Sequence, residues 1–491
     1  MHSLTLRCIV ILALTVLSVG CRTSSKPASS PTVFSSTADV HVSNPSVEPD
    51  DTPTSVESVT PSAPTTATAT DNSDIIDQLN RQISPLATTD PDAPLTDLTP
   101  LGAIVGDAQI VGIGEATHGT HEFVTMHDRM IRYLITERGF RIVGLEAPAA
   151  MVVGIDRYVL GETDDADAIQ ASFGFYGLAN TDVWHWITWL RAYNQHADPT
   201  AVVHVVGIDP QANRVLAPPL ITDYVTVIDP NLAASLAKMY RSAQAAAGSD
   251  TAVDQSKAAL AALLGAQPRL VAASSQRAFD QAVYLAQTIV QDQQINVDIA
   301  TRRGNPNDLR DQQMADNVGW MLDHAGPSVR IVVWAHDVHV AASTIPGSGS
   351  ALAMGGFLRQ HYGDQYRAIG LTFARGTYVA YPTGVTNPSP TTFTFPAYSS
   401  TAATALFAQL AAPRFLLNVR EVPAASEAGK WLRVPNILPI VGSAVAPVDF
   451  VTFNIAESFD ALCFIDDTTA VTPLAVDATP TTPLATSTVT P

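Results

Sequence analysis

Side chains able to exchange a proton near neutral pH, or to steer one that does, stand after short apolar runs in this sequence. Residues 109–114 lead into Glu115, Thr117 and His118, residues 141–145 into Glu146, residues 202–208 into Asp209 and Gln211, and residues 330–334 into His336, Asp337 and His339. Imidazole is the side chain whose unperturbed pKa suits activation of water near pH 7. Glu115, three residues before His118 on the same turn, could hold that ring and stabilise its protonated form. Taken singly, each residue has a structural reading: an acid after a strand caps the next helix, as Glu115 and Asp209 would, and a lone His packs or caps. Four successive strand ends bearing Glu, His or Asp weigh towards a site.

Glu115, His118, Glu146, His336 and His339 also include the ligand types of a divalent metal, so a metal-dependent hydrolase is the competing reading. The Glu-x-x-His and His-x-x-His spacings permit it without demanding it, and neither is the His-Glu-x-x-His of zinc proteases. The expectation is a site with no cofactor. A third reading is a catalytically silent surface binding module, because fold and site geometry do not guarantee chemistry. No Gly-x-Ser-x-Gly elbow occurs, and Ser348, between Gly347 and Gly349, reads as a flexible loop.

The elements that must position these residues follow from the alternation of short apolar runs with longer amphipathic ones, at residues 122–138, 182–196 and 307–324. This is the pattern of an α/β fold, a mostly parallel sheet flanked by helices, with a further strand at 367–373. In open parallel sheets the side chains just beyond the carboxyl ends of strands converge on one crevice. Residues 230–300, rich in Ala, Gln and Leu without strand signals, read as an inserted helical hairpin or small bundle. The aromatic turn with Phe173 and Tyr176, before Trp184, either lines a cleft for a bulky apolar substrate or packs in the core.

A chain of 491 residues with 46% hydrophobic content can bury a large core. Residues 1–20 have the layout of a lipoprotein signal peptide: Arg7, an apolar run over 8–19, then Gly20 before Cys21. The run is shorter than the roughly 20 residues that span a bilayer, so the expectation is cleavage, a lipid on Cys21 and export to the cell envelope. That would leave Cys463 alone, with no disulfide framework. Residues 21–73, dominated by Ser, Thr, Pro, Ala and Val, read as a disordered stalk, and residues 468–491 as a disordered Thr/Pro tail, bounding a body at 74–467. The net charge of −19, from 46 acidic against 27 basic residues, excludes nucleic acid as a natural partner.

The run from Gly112 to Gly119, with Glu115, Thr117 and His118, and Glu122 following, resembles the opening motif of the erythromycin esterase family. Three further blocks follow in the expected order: Trp184 with Trp189, Arg191, Tyr193 and Asn194, leading into Asp209-Pro210-Gln211; Arg310-Asp311 with Met314, Asn317 and Trp320; and Trp334-Ala335-His336 with His339. The resemblance covers roughly residues 105–375. It implies hydrolysis of an ester, in the best-known members the macrolactone of erythromycin-type antibiotics. It also implies that Glu115, His118, Glu146, Arg310, His336 and His339 form the functional set, with His118 as general base. For that ester hydrolysis Arg310, a permanent charge with planar donors, is the candidate for stabilising an oxyanion, and His336 or His339 could protonate the leaving alkoxide, roles the sequence does not separate. Phe173, Tyr176, Trp184, Asp209 and Gln211 are the candidates for contacting the small-molecule substrate. Asp337 stands where the family more often has Asn, and a negative charge there would alter the neighbouring imidazoles.

Overall fold

The computed structural model describes residues 72–326, 328–344, 351–385, 388–395, 402–445 and 450–474. The expected signal segment, Cys21, the stalk as far as residue 71, Ser348 and residues 475–491 lie outside them.

Eleven strands are described: β1 (Ile83–Pro85), β2 (Ile110–Ile113), β3 (Ile142–Pro148), β4 (His204–Asp209), β5 (Ile331–Trp334), β6 (Tyr366–Ala380), β7 (Thr391–Phe395), β8 (Arg414–Asn418), β9 (Pro435–Pro439), β10 (Phe450–Asn454) and β11 (Ala461–Thr468). Nine form one sheet in the order β1-β8-β11-β6-β2-β5-β3-β4, with β7 added to β6, while β9 and β10 pair separately. From β11 to β4 all neighbours are parallel. β1, β7 and β8 join antiparallel. The expected α/β class holds. The physical reason is legible in β2 and β5, whose Ile-Val-Gly-Ile and Ile-Val-Val-Trp are buried at every position, as strands covered by helices on both faces must be.

Register brings the chemistry level. Ile113 pairs with Trp334, and Trp334 with Leu145, so β2, β5 and β3 finish side by side. Glu146 lies in a register shift of β3 between Leu145 and Pro148, the kind of irregularity that re-aims a side chain. The helix His121–Arg138 leaves β2 and ends at Gly139 in the left-handed region, φ 71°, where the missing Cβ removes the steric penalty. Thr181–His196 starts where the Asn180 side chain accepts from the Asp182 and Val183 N–H groups. Pro306–Ala325 is capped by Asn305.

Residues 230–300 are helical, as Pro230–Ala245, Asp250–Gly265, Gln267–Ala273 and Gln276–Thr301. The last of these packs on the sheet, where Tyr284 Oη donates to the Gly207 carbonyl at 2.7 Å. Two expectations need correction. The strand expected at 367–373 continues to Ala380, because its far half finds a partner in β7. The expected tail boundary at 468 is too early: Thr468 ends β11, and Val471 is buried against the body.

Candidate functional site

Glu115 and His118 sit on the turn between β2 and the helix His121–Arg138. His118 Nδ1 lies 2.6 Å from Glu115 Oε1, and Trp334 Nε1 donates to Glu115 Oε2 at 2.9 Å. Trp334 is itself clamped, stacked on His127 at 4.3 Å and edge-on to the buried Trp186 at 5.7 Å. The glycines of this turn are dictated by close approach: a Cβ on Gly114 would come 1.9 Å from Asp337 Oδ1, and one on Gly119 2.1 Å from the Val379 carbonyl oxygen. Burial works against charge on both partners, but their mutual contact outweighs it. Glu115 is held below the usual carboxylate range, and His118 above the usual imidazole value with help from Glu146.

Glu146 and Arg310 meet on the other side. Glu146 Oε1 accepts from Arg310 Nη2 at 2.7 Å and Oε2 from the His336 backbone N–H at 2.8 Å. Although burial opposes it, His339, Arg310 and His118 hold Glu146 well below the usual range. Arg310 also grips Asp209 with Nε at 3.2 Å and Nη2 at 2.8 Å, and reaches His339 Nε2 with Nη1 at 2.9 Å. The guanidinium is therefore occupied by three partners, and the expectation that it stabilises an oxyanion gives way to a holding role for Glu146, Asp209 and His339. His339 Nδ1 faces Asp311 Oδ1 at 2.8 Å. Burial disfavours its charge, yet Asp311 and Glu146 pull its pKa up to about 10. Arg310, 2.9 Å from Nε2, opposes that rise, and both ring nitrogens stay engaged with buried protein partners.

His336 is committed on both nitrogens. Nε2 donates to the Val441 carbonyl at 3.1 Å, and Nδ1 accepts from Val338 N–H at 3.4 Å. Burial, then the neighbouring His118, push its pKa down to about 4, so it is neutral and caps the short helix Asp337–Val340. This favours neither His336 nor His339 as an acid facing substrate. Asp337 turns away from the imidazoles: its Oδ1 accepts from Leu371 N–H at 3.1 Å, and burial raises it well above the carboxylate range. Burial thus disfavours the expected extra negative charge, and the carboxyl lies against the Leu371 N–H and not among the residues lining the crevice.

A family model described as erythromycin esterase matches residues 135–468. The chain belongs to the erythromycin esterase family. It is accordingly a hydrolase acting on esters. An Escherichia coli protein named erythromycin esterase type II is 26% identical over 329 residues, 61% of this chain and 77% of that protein. A Bacillus cereus protein of known crystal structure aligns with a TM-score of 0.73 at 24% identity, covering 82% of this chain and all of that one. An erythromycin esterase mutant crystallised in an open conformation aligns at 0.58 and 19% identity, covering 80% of this chain and 99% of that one. At these identities the structures bear on the fold alone. Glu146, Asp209, Arg310, His336 and His339 fall within the matched stretch, and Glu115 and His118 precede it.

In this erythromycin esterase family member the convergence leaves a narrow crevice of about 20 Å³, lined by Glu115, His118, Glu146 and Trp334 with apolar Leu145, Phe175, Leu178 and Ala335. His118 meets Phe175 edge-on at 5.2 Å and His336 at 4.9 Å. Among the described residues, its Nε2 has no hydrogen-bond partner. Three of the five expected substrate-contacting residues lie behind this wall. Phe173 and Trp184 pack on each other at 6.4 Å, and Tyr176 is buried with Oη on the Ser443 carbonyl at 3.1 Å. Asp209 is taken up by Arg310 and by Gln211 N–H at 2.9 Å, and Gln211 is not among the lining residues. Phe175 and Leu178, which do line it, differ from their neighbours in the turn by nothing that periodicity could single out. His118 Nδ1, both His336 nitrogens and both His339 nitrogens are turned to protein partners. Among the described residues no group of three or more His, Cys, Asp or Glu is arranged to hold a metal ion.

Proposed function

We propose that the chain hydrolyses esters with water activated by His118, without a serine or cysteine nucleophile. The observation that carries this is the Glu115–His118 pair at 2.6 Å, which engages Nδ1 and leaves Nε2 of a crevice-lining ring for water. Nε2 takes a proton from water as its oxygen bonds to the ester carbonyl carbon. When the tetrahedral adduct collapses, the C–O bond breaks and the same Nε2–H returns the proton to the leaving alkoxide, giving acid and alcohol. Glu115 orients the ring and stabilises its imidazolium, and Glu146 adds to that field. Cys463 is unsuited to attack, since burial raises its thiol far above neutrality on β11. The family resemblance and the erythromycin esterase relatives make a macrolide lactone the substrate to try first. The crevice, about 20 Å³, has room beside His118 for little more than a water molecule, so only the ester edge of such a ring would approach it.

The test is mass spectrometry of a macrolide and of a simple aryl ester incubated with the purified protein, before and after chelation. Addition of one water, unchanged by chelator, is expected. Activity abolished by chelator and restored by a divalent metal would favour the metal-dependent reading, and no turnover of any ester the silent binding module.

The pH profile gives an independent check. Only the neutral ring accepts a proton, so kcat/KM rises with pH through the His118 pKa, which lies above the ordinary imidazole value. Glu115→Gln removes the main raising influence and leaves burial, which lowers it. The rising limb should move to lower pH while the plateau falls, by roughly 10²-fold for a base no longer held. A limb that stays in place would remove Glu115 from the mechanism.

A further inference from the structure

We infer that residues 469–474 are a positioning strap that holds the His118 turn in register with the Phe175–Leu178 wall of the crevice. The inference rests on the hydrolytic reading above. The strap follows β11 and crosses the amino ends of two helices. Val471 N–H donates to the Gly119 carbonyl at 3.1 Å, and His121 N–H to the Thr469 carbonyl at 2.8 Å. Thr469 donates its N–H and Oγ1 to the two oxygens of Glu122, at 2.6 and 2.9 Å. Ala470 N–H reaches Thr377 Oγ1 at 3.0 Å. At the other end Thr181 N–H donates to the Thr472 carbonyl at 2.9 Å, and Leu474 N–H to the Ala179 carbonyl at 3.0 Å. One short segment thus ties the residue after the base to the residue after Leu178.

That junction is sensitive because the wall touches the base. A Cβ on Gly177 would sit 3.2 Å from His118 Cβ, and Phe175 meets the imidazole edge-on. Besides the strap, the two helix starts are joined by the half-exposed His121–Asp182 pair at 2.7 Å, and exposed ion pairs constrain weakly. Main-chain bonds from a strand-like strap, anchored by the buried Val471, fix both segments at once. A displacement of about 1 Å remote from the chemistry can cost 10²-fold in rate.

The experiment uses the full chain. Val471→Pro deletes the N–H bound to Gly119, Leu474→Pro the one bound to Ala179, and Val471→Ile keeps both. Three quantities are measured: the NMR titration midpoint of the His118 ring, assigned by its loss in His118→Asn; kcat and KM for an aryl ester; and far-ultraviolet circular dichroism. His118 is faced by Glu115, Glu146, His336 and His339, and its short bond to Glu115 is the one that a loosened turn lengthens. Both proline variants should lower the midpoint towards the ordinary imidazole value and reduce kcat by about 10- to 10²-fold with a native spectrum, whereas Val471→Ile should match the parent. An unchanged midpoint and kcat in both proline variants, or losses that only track the unfolded fraction, would overturn the strap's role. If the parent chain turns over no ester, the hydrolytic reading falls, while the titration still reports on the strap.

Discussion

Replacing His118 by Asn should lower kcat/KM by roughly 10² to 10⁴-fold, the usual loss when a positioned base is removed, with the fold intact. Asn is polar, smaller than imidazole and able to keep a hydrogen bond to Glu115, so the turn retains its anchor. What disappears is Nε2, the ring nitrogen that Glu115 leaves for water. His336 cannot take over, because its nitrogens are engaged with the Val441 carbonyl and Val338 N–H and its pKa is pushed down to about 4. Nor can His339, which sits between Asp311 and Arg310. Steady-state turnover of an aryl ester, with circular dichroism as the control for folding, reads the effect. Near-normal turnover in His118→Asn, or an acyl group trapped covalently on any side chain, would sink the mechanism.

Arg310→Ala should destabilise the protein by about 3–5 kcal/mol, the range for removing one partner of a buried ion cluster. The guanidinium lies between Glu146 and Asp209, all three largely buried. Its loss leaves two buried carboxylates facing each other without the charge that grips both. Glu146 can recover only in part, by drawing on His339 and His118. Arg310→Lys should rescue little, because an ammonium cannot place planar donors on Asp209 and reach Glu146 and His339 as well. Urea unfolding of the three proteins measures this. A loss under about 1 kcal/mol for Arg310→Ala would show that the cluster contributes little and that the guanidinium is free for another task.

Much of the architecture was legible because it is local. Strands buried on both faces must be continuously apolar, so β2 and β5 stand out, and helices announce themselves by their period. Glu115 and His118 are three residues apart on one turn, so their contact follows from local geometry once the strand end is recognised. Level strand ends then imply a crevice before any coordinate is known.

The partners within that crevice are another matter. Arg310 meets Glu146 across 164 residues of chain and Asp209 across 101, and Trp334 reaches Glu115 across 219. Such contacts depend on strand order and register, which place β5 between β2 and β3 and insert β11 between β8 and β6. No local pattern encodes that order, and so the sequence left the roles of Arg310, His336 and His339 open. The same holds for Asp337, whose position beside two histidines suggested a charge in the site, while the fold turns it to Leu371 N–H, where burial disfavours its charge. The strap is the extreme case. Its Thr- and Pro-containing composition reads as tail, and its order comes from main-chain donors and acceptors on Gly119, His121, Ala179 and Thr181 that only the folded body brings within reach.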